Sequence, residues 1–176
     1  MFWGILAIVI VLGYIAFKFN GIKSQQQEIA SGRSGIEIAL EARYDVLTKL
    51  NSTVNGYTGH ESSTLNNVVK LRKGMSAEEL QTADASLENA YRGIMAIAES
   101  YPELKASANF LHMQETINEV EGNLQASRRM YNAAVEEYNS NISRFPGLLF
   151  AKAMKAQPEE YYRAAETKHE DVKLSF

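Results

Sequence analysis

Apolar residues recur at alternating intervals of three and four through most of this chain, and no stretch alternates convincingly with the period of a strand. From Ile36 the stripe reads Ile36, Leu40, Arg43, Leu47, Leu50, Val54 and Tyr57, and Ile29 and Ile22 continue it backward in steps of seven. This heptad register predicts a long helix of the coiled-coil kind. Gly21, Gly32 and Gly35 are its weak points, each costing about 1 kcal/mol relative to Ala. "GYTG", residues 56–59, predicts a stop and a turn. A second, shorter helix is expected over 60–73, with Leu65, Val68, Val69 and Leu71 or Arg72 inward. After Gly74, Ser76 and Glu79 have the spacing of a capping box that opens a third helix. Leu80, Ala83, Leu87, Tyr91, Ile94 and Ile97 or Ala98 carry that helix until Pro102 restricts the residue before it.

The fourth stripe is the longest. Phe110, Met113, Ile117, Val120, Leu124, Ser127, Tyr131, Ala134 or Val135, Tyr138, Ile142 and Phe145 predict one helix roughly 50 Å long. Tyr131, Tyr138 and Phe145 are spaced by sevens, so they are expected to line the core with Leu47, Leu50, Val54, Ile117 and Leu124. Arg128, Arg129, Glu136 and Glu137 fall off this stripe, and the run Asn139, Ser140, Asn141 and Ser143 is expected to bond neighbouring helices or another subunit. Arg43 is a cation inside the first stripe. Either it snorkels from the stripe's edge, or it is buried and paired with a carboxylate of a neighbouring helix.

Before these amphipathic stretches lies an apolar one. "MFWGILAIVIVLGYIAFKF" has no charge before Lys18, and about 17 residues at 1.5 Å rise make a helix of roughly 25 Å, a short bilayer span. Its body is Ile5, Leu6, Ile8, Val9, Ile10, Val11 and Leu12, with Trp3 at one end and Tyr14 and Phe17 at the other, where aromatic rings favour the interfaces. A cleaved signal peptide would carry a basic n-region and a small-x-small site, and this segment has neither, so an uncleaved anchor is expected. Lys18, Lys23 and Arg33 follow the span, which places the chain in the cell membrane as a single-pass protein with its N-terminus outside and its body cytoplasmic.

The predicted fold is all-α, an N-terminal transmembrane helix followed by an antiparallel four-helix bundle with long first and last helices. Its parts are the anchor at 1–19, the bundle at 20–146, and an amphipathic segment, short helix and tail at 147–176. "GLLFAKAMK", residues 147–155, presents Leu148, Leu149, Phe150 and Met154 beside Lys152 and Lys155. It suits contact with membrane or partner, or else a loop that caps the bundle. "PEEYYRAAETK" predicts a short helix begun at Pro158. Four legs running up, down, up and down would return 147–155 to the bilayer, whereas a bundle in which the second and third helices are collinear would leave it about 50 Å away. The capping box favours four legs.

Composition narrows the chemistry. Eighteen Lys and Arg against 21 Asp and Glu, without a run of one sign, leave no footprint for nucleic acid. The absence of Cys excludes disulfides and thiol chemistry. His60, His112 and His169 are scattered; His112 and Glu115 share adjacent turns, yet the paired Glu-x-x-His motifs of bundle metal sites are missing. No GxSxG, SxxK, GxGxxG or Walker pattern occurs. No cofactor and no catalytic residue is therefore expected.

"RYDVLTKLNSTVNGYTGHE", residues 43–61, and "SYPELKASANFLHMQETINEVEGNLQASRRMYNAAVEEYNSNISRFP", residues 100–146, resemble the LemA family of bacterial membrane proteins, with Thr48 where the family usually has proline. The resemblance spans nearly the whole chain. It implies an N-terminal transmembrane helix joined to a four-helix bundle, no catalytic residues to carry over, and links to membrane metalloproteases and envelope organisation. Two functions are thus expected: a non-enzymatic scaffold at the lipid bilayer that forms a homo-oligomer, or an accessory such as a protease adaptor or a helical-bundle metal protein around His112 and Glu115.

Overall fold

The computed structural model describes residues 2–59, 65 and 68–163, and among them the regular elements are five helices. The first, α1, runs unbroken over Phe2–Thr58. At 1.5 Å per residue it is about 85 Å long, enough to cross the roughly 30 Å bilayer core and still provide a leg of the bundle. Its apolar third packs on little of the protein: the ten anchor residues from Trp3 to Phe17 named above are between 41% and 79% exposed. Ile22 is the first buried side chain, and Ile29, Ile36, Leu40, Leu47, Leu50 and Val54 follow it into the core. Thr48 does not interrupt the helix; its hydroxyl donates to the Tyr44 carbonyl at 2.8 Å.

Glycine was expected to weaken α1, and at Gly32 the structure supplies the reason for one. A Cβ there would stand 2.9 Å from the Tyr131 Cα. The missing side chain lets two backbones approach.

The remaining helices are α2 (Ala77–Ala98), the single turn α3 (Pro102–Lys105), α4 (Ala108–Ser143) and α5 (Gly147–Met154). At the start of α2 the Glu79 N–H donates to Ser76 Oγ at 3.1 Å while the Ser76 N–H donates to the Glu79 carboxylate at 2.8 Å, a complete capping box. α2 lies parallel to α1, since the Gly74 N–H reaches Glu37, Arg43 meets Asp84 and Glu88, and the Tyr57 ring packs on Tyr101. α4 runs the other way: Thr53 touches Met113, Arg43 touches Glu121, and Gln25 bonds Glu137 and Asn141.

The expected second helix is a correction where it can be seen. Residues 60–64, 66 and 67 lie outside the described ones, while 68–73 are not helical. Geometry explains why. The chain must travel back from Thr58 to the level of Glu37, about 31 Å, and a helix over 60–73 would cover only about 21 Å. Leu65, Val68, Val69 and Leu71 still pack, half-buried, against the core. Among the described residues three long helices make the bundle, and α4 ends at the level of the apolar part of α1 all the same.

Ile117, Leu124, Tyr131 and Tyr138 are buried along α4. Phe145 is not in the core: it is 82% exposed, because α4 stops at Ser143 and the extended Arg144 breaks the heptad before reaching it. The helix expected from Pro158 is also absent in its described part. Residues 156–163 form a non-helical strap lying along α4, and 164–176 lie outside the described residues.

Candidate functional site

Halfway up the bundle, α1, α2, α4 and the strap meet at a set of ions in a largely apolar interior. Arg43 takes a stripe position of α1, so packing that buries Leu40 and Leu47 also buries its guanidinium. It donates to Asp84 Oδ1 at 2.9 Å and Glu88 Oε2 at 2.6 Å, and lies 3.4 Å from Glu121 Oε2. The buried reading of Arg43 is therefore the one realised, with a side chain 6% exposed. Arg128, which heptad counting puts off the stripe, bonds the other oxygen of Asp84 and sits 3.8 Å from Glu121. Tyr162 of the strap donates its hydroxyl to the same Asp84 oxygen at 3.0 Å, under the Arg128 guanidinium at 5.3 Å from its ring centroid.

Asp84 thus accepts from three donors supplied by three segments. Burial, and then the negative charge of Asp84, push the Tyr162 hydroxyl well above the ordinary phenol range. Glu88 goes the other way. Its partial burial would raise the carboxyl, but hydrogen bonds from Arg92 and Arg43 outweigh that and hold it below the usual range.

The strap is held mainly through its backbone. Asn139 exchanges two hydrogen bonds with Glu159, at 2.8 and 2.9 Å, and Asn132 exchanges two with Tyr162 at the same pair of distances. The Tyr131 and Tyr138 hydroxyls donate to the carbonyls of Glu160 and Gln157 at 2.8 and 3.0 Å. Burial raises the Tyr131 hydroxyl, with Arg33 partly offsetting it. These four side chains form two adjacent pairs seven residues apart, so successive pairs of α4 turns present the same donor and acceptor set to an extended chain. The amide-rich run is divided between partners: Asn139 serves the strap, Asn141 bonds Gln25 of α1 at 2.8 Å, and Ser143 bonds back to Ser140.

Sequence reasoning missed Asp84, Arg128, Asn132 and Tyr162. The spacing of seven between Asn132 and Asn139 was a signal; nothing local marked Asp84 as the centre of a cluster. His112 and Glu115 are 3.9 Å apart and both more than three-quarters exposed, and among the described residues no three His, Asp or Glu side chains converge as a metal site requires. His60 and His169 lie outside the described residues.

At the membrane end, α5 folds against α1. Its inner side is Gly147, Phe150, Ala151 and Met154, buried or half-buried, and a Cβ on Gly147 would run into the Asn141 carbonyl. Leu148 and Leu149 point away, 39% and 57% exposed. Phe150 packs edge-on against Tyr14 of the anchor, with centroids 6.4 Å apart.

A model of the LemA family matches residues 32–176, four-fifths of the chain and most of the bundle. The chain belongs to the LemA family. A Protein LemA of Metamycoplasma hominis is 28% identical to this chain over 183 residues, covering 99% of the chain and 84% of the relative. Magnetosome protein MamQ 2 of Paramagnetospirillum magneticum is 21% identical, over 90% of the chain and 70% of its own length. Magnetosome protein MamQ of Magnetospirillum gryphiswaldense is 20% identical, over 90% and 69%. Among its described residues this family member is helical, with one N-terminal helix long and apolar enough to cross a membrane.

Proposed function

We propose that this LemA-family chain is a non-enzymatic, single-pass membrane scaffold whose copies associate at the bilayer and whose bundle, on the cytoplasmic side, receives another membrane protein such as a protease. The observation that carries the proposal is the continuity of α1. One helix is apolar and bare over its first turns and becomes the central leg of the core at Ile22, so the height and tilt of the bundle are tied to the span. The buried ions support a structural role as well, because Arg43 and Arg128 both pair with Asp84 inside the bundle. Relatives named as magnetosome proteins support a part in organising a cell structure. A surface for association between copies is offered by a groove of about 430 Å³ between α1 and α4, where Met130, 70% exposed, stands beside Gly35 and Ala134.

Light scattering on the detergent-solubilised full chain tests this. Particles containing two or more copies are expected. A strictly monomeric particle that also retains no protein from its own membranes overturns the proposal.

A further inference from the structure

The outward side of α5 is apolar where a soluble protein would be polar. On a 100° helical wheel Gly147, Phe150, Ala151 and Met154 occupy the side turned to the bundle, and Leu148, Leu149, Lys152 and Ala153 the opposite one. Packing of the bundle buries or half-buries the first set and leaves Leu148 39% and Leu149 57% exposed. Phe145, left outside the core by the break at Arg144, is a third large apolar side chain exposed just before α5.

The height of this patch is set by α1. Phe150 packs on Tyr14, one turn below Lys18, the first charge of the chain, so α5 lies level with the end of the apolar span. The Lys18 ammonium sits 5.9 Å from the Tyr14 ring centroid, and Lys152 and Lys155 are exposed on α5 itself. Aromatic rings, leucines and lysines at one level are the composition of a helix lying in the headgroup layer, its apolar side buried about 5–10 Å into the acyl boundary.

We infer that α5 is a second membrane contact, a foot that inserts Phe145, Leu148 and Leu149 into the lipid interface beside the anchor while Lys152 and Lys155 face lipid headgroups. The inference rests on the reading of α1 as a bilayer span and adds to it. A single helix can spin and tilt about its axis. A foot alongside it fixes which side of the bundle faces the bilayer and which faces a partner. The occupant of the patch is lipid and not a protein, because the patch is continuous with the anchor surface through Tyr14 and stands at the depth where lipid must be.

Trp3 is the only tryptophan in the chain, which makes the test direct. The full chain in nanodiscs of phosphatidylcholine and phosphatidylglycerol is compared with the same discs carrying phosphatidylcholine brominated near the top of the acyl chain. Three proteins are measured: the natural chain, Trp3→Phe with Leu149→Trp, and Trp3→Phe with Leu111→Trp as a reference at the end of the bundle away from the anchor, where Leu111 is 48% exposed. Trp3→Phe with Phe145→Trp replaces the second if that variant loses its helical circular dichroism.

Brominated lipid should quench Trp at 149 at least about twofold, as expected for a ring at that depth, and acrylamide should reach it poorly. Trp at 111 should behave oppositely. If Trp3 escapes bromine quenching, the span reading itself fails. If Trp3 is quenched while Trp at 149 is open to acrylamide and untouched by bromine, the foot alone is overturned. Protection from both quenchers overturns it too, since that outcome assigns the patch to a protein.

Discussion

Replacing Asp84 with Ala would remove the acceptor on which α1, α4 and the strap converge. The side chain is 8% exposed and takes hydrogen bonds from Arg43, Arg128 and Tyr162. Deleting one partner of a buried ion pair costs about 3–5 kcal/mol, because the charge left behind is neither hydrated nor matched. Here Arg43 keeps Glu88 and both arginines keep Glu121 within 4 Å, so the low end, about 3 kcal/mol, is expected. For a chain of this size that is a fall in Tm of about 6–12 °C. Glu88→Ala should cost far less, about 1 kcal/mol, since that carboxylate is 38% exposed and water replaces part of what it loses. Thermal melts of the detergent-solubilised full chain, followed by far-ultraviolet circular dichroism, measure both. The double variant Asp84→Ala with Arg128→Met should cost less than the sum of its single changes, since the second removes a charge that the first stranded. A Tm shift below about 2 °C for Asp84→Ala, or equal losses for the two carboxylates, would refute the assignment of Asp84 as the hub.

Three further outcomes follow from the same geometry. Tyr162 has a raised pKa in the folded state, so its contribution is complete below about pH 10 and is lost as pH climbs through the folded value. Denaturant melts should therefore show stability falling above about pH 10, and Tyr162→Phe should flatten that slope; an unchanged slope contradicts the buried, neutral hydroxyl. Gly32→Ala should destabilise by about 1–2 kcal/mol net, as overpacking against the Tyr131 backbone outweighs a helix-propensity gain of about 1 kcal/mol, whereas Gly122→Ala, with open space around it, should stabilise. Equal signs for the two would falsify the close approach of α1 and α4. Asn139→Ala removes both bonds to Glu159 and should speed amide exchange there by about tenfold for each 1.4 kcal/mol lost, detectable by mass spectrometry of a peptide covering 156–163; unaltered exchange would mean the strap is held elsewhere.

Periodicity alone determined the inner faces of the long helices. Ile22, Ile29, Ile36, Leu40, Leu47, Leu50 and Val54 could be placed because a buried helical face repeats every three or four residues regardless of what covers it. The start of α2 was equally plain, since a capping box closes within four residues. The apolar span needed nothing but composition. Features that join distant parts of the chain were decided by tertiary structure. The direction of α2 depends on a return whose required reach exceeds that of a helix over 60–73, a distance set by where Gly74 meets Glu37. Phe145 keeps the heptad count and still leaves the core, because the count holds only while the helix continues. Arg43 was visible as an anomaly in a stripe, but its partners at positions 84, 88 and 121 belong to other helices, and an ion pair across helices carries no local spacing rule. The strap is the clearest case. Its backbone is read by Asn132 and Asn139, and backbone recognition leaves almost no mark on the sequence of the segment that is bound.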